Sequence, residues 1–284
     1  MPEGQEDGGK DTEKFQFVED NSQVTGNISP KRVKRNVRGS ELKKIRTTIK
    51  KIKFIVTVLG LLLLMGCGKQ DNSLLGQAEV LSADQDGFTG SLAAAVEITA
   101  GNQYGRGVVY DRDEQGLILV TAGHVIPAAT EADGISITFQ DGQTAVCSGY
   151  ALAAEADCAF LRVFMEDIPA EGQEDYQPVK KDRDQFDALE SGTGIFLADP
   201  RADNELGCHF AMVVENWIYV EDFSQHMMLL SGEAYAGMSG AGVFDEEGCF
   251  LGILCGGSDA GELAVLPYSV IETNYGEVSG KERF

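Results

Sequence analysis

Three short stretches of the chain carry side chains that could do chemistry together. In Leu119-Val120-Thr121-Ala122-Gly123-His124-Val125 an apolar run leads straight into a histidine. Histidine titrates near neutrality, so it can take a proton from a hydroxyl and hand it back. Of the three histidines, His209 falls in a strand pattern between Cys208 and Phe210, and His226 in a polar turn beside Gln225, which leaves His124 as the candidate base. In Ala154-Glu155-Ala156-Asp157-Cys158-Ala159-Phe160-Leu161 an aspartate immediately precedes an apolar strand pattern. A carboxylate placed there can accept from an imidazole N–H, fix its tautomer and steady the imidazolium as it forms. Glu155 competes for that role but lies further from the apolar strand. In Ala236-Gly237-Met238-Ser239-Gly240-Ala241-Gly242-Val243 small residues crowd around one serine. Such crowding suits a backbone that turns sharply and aims N–H groups at a developing oxyanion. The chemistry these residue types share is attack by a serine hydroxyl with general-base help.

Each stretch alone has an ordinary reading: a turn aspartate, or a glycine-rich turn with an incidental serine. Their order along the chain discriminates. An α/β-hydrolase places its histidine after the nucleophile, and no histidine follows Ser239. The elements that must hold the three stretches read as short strands: 92–99, 106–110, 117–121, 135–140, 144–152 and 158–164, punctuated by turn signals such as Asp133-Gly134 and Asp141-Gly142. A polar link follows at 166–192, with no helical period. Strands resume at 194–197, 208–215, 218–220, 227–230, 242–245, 249–255 and 263–266. Six strands, a link and about six more predict an all-β fold of two similar barrels side by side. The absence of βαβ alternation and of a glycine-rich phosphate loop argues against a nucleotide-binding fold.

With the order His124, Asp157, Ser239, the chain resembles the chymotrypsin-like serine proteases, and in its short loops the bacterial trypsin-like and HtrA-type members. Thr121-Ala122-Gly123-His124 is similar to their T-A-x-H, the stretch from Asp157 to Leu161 to their D-x-A-x-L, and the stretch from Gly237 to Gly242 to their G-x-S-G-G-P. Ala241 stands where the family has a third glycine, Gly242 where it has proline, and Met238 where it has a polar residue. The resemblance covers about residues 88–276. It implies two six-stranded antiparallel barrels of the chymotrypsin type, at about 88–165 and 193–276. The segment from Leu266 to Glu272 looks like the one that closes the second barrel, with no PDZ domain after it. It also implies a serine endopeptidase that cuts protein or peptide substrates through an acyl-enzyme and needs no cofactor or metal. By the same match the N–H groups of Gly237 and Ser239 form the oxyanion hole, Cys255, Gly256 and Gly257 pair with the substrate backbone, and Glu233 lies at the floor of the specificity pocket. An acid there implies a preference for basic side chains, whereas read from the residues alone Glu233 is a solvated loop glutamate. A catalytically idle barrel serving as an envelope binding module is the alternative, which an intact triad disfavours.

The rest of the sequence speaks to location. The 284 residues carry 23 basic and 45 acidic side chains, a formal charge of −22, which argues against a nucleic-acid partner. The charge is unevenly spread: eleven Lys or Arg and one Glu fall within 30–53, and the acidic excess lies in the body from residue 69. Between them Phe54 to Met65 are twelve uncharged, mostly aliphatic residues. A basic flank before an apolar run marks membrane targeting with the basic side in the cytoplasm, but twelve residues are short for a spanning helix. Leu64-Met65-Gly66-Cys67 resembles the lipobox of bacterial lipoproteins, in which the chain is cut before the cysteine and Cys67 is lipidated. A signal anchor with a cytoplasmic tail is the other reading. The expected organisation is a polar and basic tail at 1–53, a targeting segment at 54–67, a tether at 68–87 and the protease domain at 88–276, on the extracytoplasmic side of a membrane. Five further cysteines, Cys147, Cys158, Cys208, Cys249 and Cys255, form no C-x-x-C pair, which argues against a zinc or redox motif. Cys147 with Cys158 is the one pairing left open.

Overall fold

The computed structural model describes residues 85–279 apart from 129, 169–172, 203, 205 and 259. The tail, the targeting segment, Cys67 and nearly all of the tether lie outside the described residues. Among the described residues no helix is long and apolar enough to cross a membrane. The chain runs α1 (Gln85–Ala93), β1 (Ala95–Ala100), β2 (Gln103–Arg112), β3 (Gly116–Thr121), β4 (Ile135–Phe139), β5 (Thr144–Val146), β6 (Gly149–Leu152) and β7 (Ala159–Phe164). After the polar link it continues with α2 (Arg183–Asp187), β8 (Gly194–Ala198), β9 (Cys208–Val220), β10 (Gln225–Gly232), β11 (Gly242–Phe244), β12 (Phe250–Gly257), β13 (Glu262–Pro267) and α3 (Tyr268–Ser279).

The strands make two antiparallel sheets, as the turn-rich sequence leads one to expect. The second, in the order β10-β13-β12-β11-β8-β9, closes into a six-stranded barrel. The first has seven strands, β5-β4-β1-β2-β3-β7-β6, and curls without closing. The expected strand at 144–152 is the cause. It divides into β5, which pairs with β4, and β6, which pairs with β7. Only Cys147 and Ser148 separate them, although they lie on opposite edges of the sheet. At this corner the Cys147 N–H bonds to Ile135 O and the Ser148 N–H to Arg162 O, so a two-residue bend carries the chain from one edge to the other and forces the curl. In β4 the burial alternates, with Ile135, Ile137 and Phe139 inward. In β3 every residue is buried, as fits a central strand covered on both faces.

The two predicted strands at 208–215 and 218–220 are one long strand, β9, whose register against β10 shifts at irregularities around Leu229. The expected strand at 92–99 begins later, at Ala95, since Leu92 and Ala93 end α1. The chain reaches β1 through α1, and the segment from Tyr268 onward, expected to close the barrel, is α3. Its buried residues Tyr268, Ile271, Asn274 and Val278 fall on one helical face. This helix joins the halves: the Tyr275 ring lies 5.2 Å from that of Tyr110 and 5.4 Å from that of Phe160, while Tyr268 packs 6.2 Å from Phe250. The five cysteines are buried free thiols, Cys147 and Cys158 included. The Cys147 thiol donates to Gly149 O at 3.1 Å. Burial pushes Cys147 up to about 11, and burial with the nearby Asp157 charge pushes Cys158 up to about 12.

Candidate active site

The fully buried strand β3 ends at Thr121, and the chain then makes a single 3-10 turn, Gly123–Val125, that carries His124. Asp157 stands just ahead of β7, the neighbour of β3, where Thr121 pairs with Ala159. That adjacency sets the pair: Asp157 Oδ2 lies 2.8 Å from His124 Nδ1, and Asp157 Oδ1 accepts the His124 backbone N–H at 2.9 Å. Gly123 lets the carboxylate approach, since a Cβ there would stand 3.1 Å from Asp157 Oδ1. A carboxylate on Nδ1 requires the proton on that nitrogen, which makes Nε2 the basic one. Glu155, the competing acid, is exposed.

Ser239 is 1 % exposed and comes from the turn between β10 and β11. Gly237 and Gly240 flank it with φ of +91° and +86°, a region that glycine enters without the Cβ clash other residues meet. The turn takes up its own N–H groups at Met238, Gly240 and Ala241, which bond to Tyr235 O, Leu254 O and Met238 O. Gly237 and Ser239, whose N–H groups the family resemblance assigns to the oxyanion hole, are both buried in this turn. Gly242, where the family has proline, packs so closely on Val108 that any side chain would overlap it.

Both catalytic stretches meet over one piece of β2. A Cβ at Gly105 would lie 2.7 Å from Val125 Cγ2 and 2.8 Å from Ser239 O. The next residue, Arg106, donates its backbone N–H to Ser239 O at 2.7 Å and accepts from Thr121 Oγ1 at 2.6 Å. The strand leading to His124 and the turn bearing Ser239 are thus tied to the backbone of the same residue.

At the edge expected to receive the substrate backbone, β11 pairs with β12 only as far as Ile253. Leu254 then uses its N–H and carbonyl on Ala241 O and Gly240 N–H. Among the described residues Cys255, Gly256 and Gly257 have no strand on that edge, while β13 covers the other. Cys255 itself is fully buried, with its thiol 3.6 Å from Asp157 O. Glu233, expected at a pocket floor, is exposed just past the end of β10. What fills the space between β10 and the open edge is Leu263. A Cβ at Gly232 would lie 3.4 Å from its Cδ1, and one at Gly257 3.1 Å from its Cδ2. Sequence reasoning passed over Leu263 because it looks like any strand leucine. It also passed over a buried cluster around Asp199, for which the hint is a basic residue, Arg106, heading an otherwise apolar strand.

Among the described residues no cluster of His, Cys, Asp or Glu could hold a metal ion. A family model described as a trypsin-like peptidase domain matches residues 105–253, which contain all three candidate residues. Of solved structures, an inactive form of Rv3671c from M. tuberculosis H37Rv, carrying a serine-to-alanine mutation, is similar at a TM-score of 0.55 and 15 % identity, covering 72 % of this chain and 95 % of that one. The active form of the Rv3671c protease is similar at a TM-score of 0.54 and 16 % identity, with 71 % and 90 % covered. No curated protein matches the sequence.

Proposed function

The chain belongs to the trypsin-like peptidase family and is a serine peptidase, and from that premise we propose that it is an endopeptidase working through Ser239, His124 and Asp157. The observation that carries this reading is the double grip of Asp157 on His124, through Nδ1 and through the backbone N–H. Ser239 Oγ attacks the substrate carbonyl while His124 Nε2 takes its proton. The charge that forms on Nδ1–H is steadied by Asp157, and the oxyanion is met by the N–H groups of Gly237 and Ser239. His124 then protonates the leaving amine, and water returns through the same base to release the acyl-enzyme. The substrate strand adds to the open edge at Cys255–Gly257 by main-chain hydrogen bonds. Its side chain before the scissile bond enters the slot between that edge and Gly232, where Leu263 leaves room for a small apolar group. An exposed Glu233 keeps its water, so it lacks the desolvation that would make a charge preference large.

The test is labelling of the full chain with a fluorophosphonate. Ser239→Ala should abolish labelling, and an unlabelled parent would favour the idle-barrel alternative. In a peptide library, cleavage after Ala or Val should exceed cleavage after Lys or Phe, and Leu263→Ala should shift the preference toward larger apolar side chains. A parent preference for Lys or Arg that is lost in Glu233→Gln would return the pocket floor to Glu233.

We also place the peptidase domain outside the cytoplasmic membrane, held by a lipidated Cys67 or by the apolar run as a signal anchor. The basic block at 30–53 and the run Phe54 to Met65 support this. Intact mass of detergent-extracted protein separates the two, because only the lipoprotein loses residues 1–66 and gains acyl groups.

A further inference from the structure

A buried polar cluster around Asp199 takes no part in the chemistry above. Asp199, just past the end of β8, is fully buried and its carboxylate accepts four hydrogen bonds. Oδ1 accepts from Arg106 Nε at 2.6 Å and from the Arg201 N–H at 2.9 Å. Oδ2 accepts from His209 Nε2 at 3.2 Å and from the Tyr235 hydroxyl. Four donors are what an ionised carboxylate can fully accommodate. Arg106 is itself 1 % exposed. Removing one partner of so buried a pair leaves the other uncompensated.

Two of these partners are parts of the Ser239 turn. Tyr235 stands four residues before Ser239, and its carbonyl accepts the Met238 N–H at 3.1 Å. Arg106 holds Ser239 O through its own N–H at 2.7 Å. The turn is therefore gripped at both ends, and the two grips are joined through one carboxylate. Tyr104, two residues before Arg106 on β2, lays its ring against Gly237 so closely that a Cβ there would overlap it. The Arg201 guanidinium lies 5.8 Å from the Tyr104 ring centre. Arg106 belongs to the first sheet and Asp199 to the barrel, so the cluster also sets the turn's position relative to the half that carries His124.

We propose that Arg106, Asp199 and Tyr235 are positioning residues that hold the Ser239 turn in its attacking geometry across the two halves of the molecule. The proposal rests on Ser239 being the nucleophile. It differs from simple core stability in what it requires. A side-chain change at Tyr235, which is 42 % exposed, should slow chemistry while the fold stays intact.

The test compares the full chain with Tyr235→Phe and with the double variant Arg106→Met/Asp199→Leu, in which apolar residues replace a buried ion pair that often contributes little net stability. Three quantities are read: the fluorophosphonate labelling rate, kcat against KM on a peptide, and amide hydrogen exchange over residues 233–241. For Tyr235→Phe, which deletes one hydrogen bond to a charged group, labelling and kcat should fall ~10-fold, with KM within about threefold and Tm lower by only a few degrees. The folded double variant should fall ~100-fold or more, and in both variants the turn should exchange faster while β3 and β12 exchange as in the parent. Parent-like labelling in Tyr235→Phe, a change confined to KM, or unchanged exchange in the turn would overturn the proposal. If the double variant does not fold, Tyr235→Phe decides alone. The exchange reading needs no activity, so a parent that fails to label would defeat the triad reading while exchange still decides the clamp.

Discussion

The two halves hold their share of the site by different means. In the first sheet, His124 and Asp157 stand at the ends of neighbouring strands, β3 and β7, and one carboxylate joins them. The acid–base pair is therefore built within a single sheet. In the barrel, the turn that carries Ser239 is shaped by two glycines at positive φ and by its own hydrogen bonds, and it is also held by β2 of the other half through the Arg106 N–H on Ser239 O. The difference teaches that the proposed base, His124, is placed by local strand pairing, whereas the proposed nucleophile, Ser239, depends on how the halves meet. A change in the first half should damage the site only when it touches the pair itself or the β2 residues that grip the turn. A change in the second should be felt wherever the turn is shaped or gripped.

The sharpest way to break the first part of this comparison is Asp157→Asn. It leaves the strands alone but removes the charge that fixes the tautomer, so turnover should fall on the order of 10⁴-fold with little change in Tm. A loss under tenfold in steady-state kinetics would take the orienting role from Asp157. Glycine substitutions probe the contrast directly. Gly240→Ala places a Cβ at φ +86° where it would overlap Arg106 O and Thr121 Oγ1, and should cost about 2 kcal/mol or more together with most of the activity. Gly142→Ala, at φ +84° in the β4–β5 turn with open space around it, should cost about 1 kcal/mol and leave the peptidase rate as it is. Equal losses of activity in the two would erase the distinction between the halves.

Acid gives a smaller and more graded test. Burial opposes ionisation of Asp199, but the hydrogen bonds from His209, Tyr235 and Arg106 outweigh it and hold its carboxyl well below the usual carboxylate range. A group with a depressed folded pKa contributes stability that is present above its unfolded value, about 4, and lost as pH falls through the folded value. Asp113 in the first half is also lowered: burial opposes the shift, and the bond from Arg162 outweighs it. Its side chain is 43 % exposed, so solvent screens the pair. Denaturant titrations between pH 6 and 2 should therefore show a loss of stability below about pH 4 that Asp199→Asn flattens and Asp113→Asn barely alters. A steeper effect from Asp113→Asn would mean that the acid-sensitive element lies in the first half.

Much of this was legible in the residues. Strand after strand showed in the short apolar runs and their turn signals, because side-chain alternation and turn chemistry are local properties that the chain carries without its fold. His124, Asp157 and Ser239 stood out for the same reason, each being out of keeping with its immediate neighbours. Where local signals mix, the reading slipped: Tyr268, Val270 and Ile271 follow directly on β13 and pass for a further barrel segment, and only packing of α3 across both halves selects the helix. The division of 144–152 into β5 and β6 depends on which strands lie at the two edges of the curled sheet, and no window of nine residues contains that. The contact of Asp157 with His124, the approach of Leu263 to both Gly232 and Gly257, and the meeting of Arg106, Asp199 and Tyr235 each join residues far apart in the chain. Such contacts arise from strand register and from the docking of one sheet on the other, so tertiary structure alone decides them.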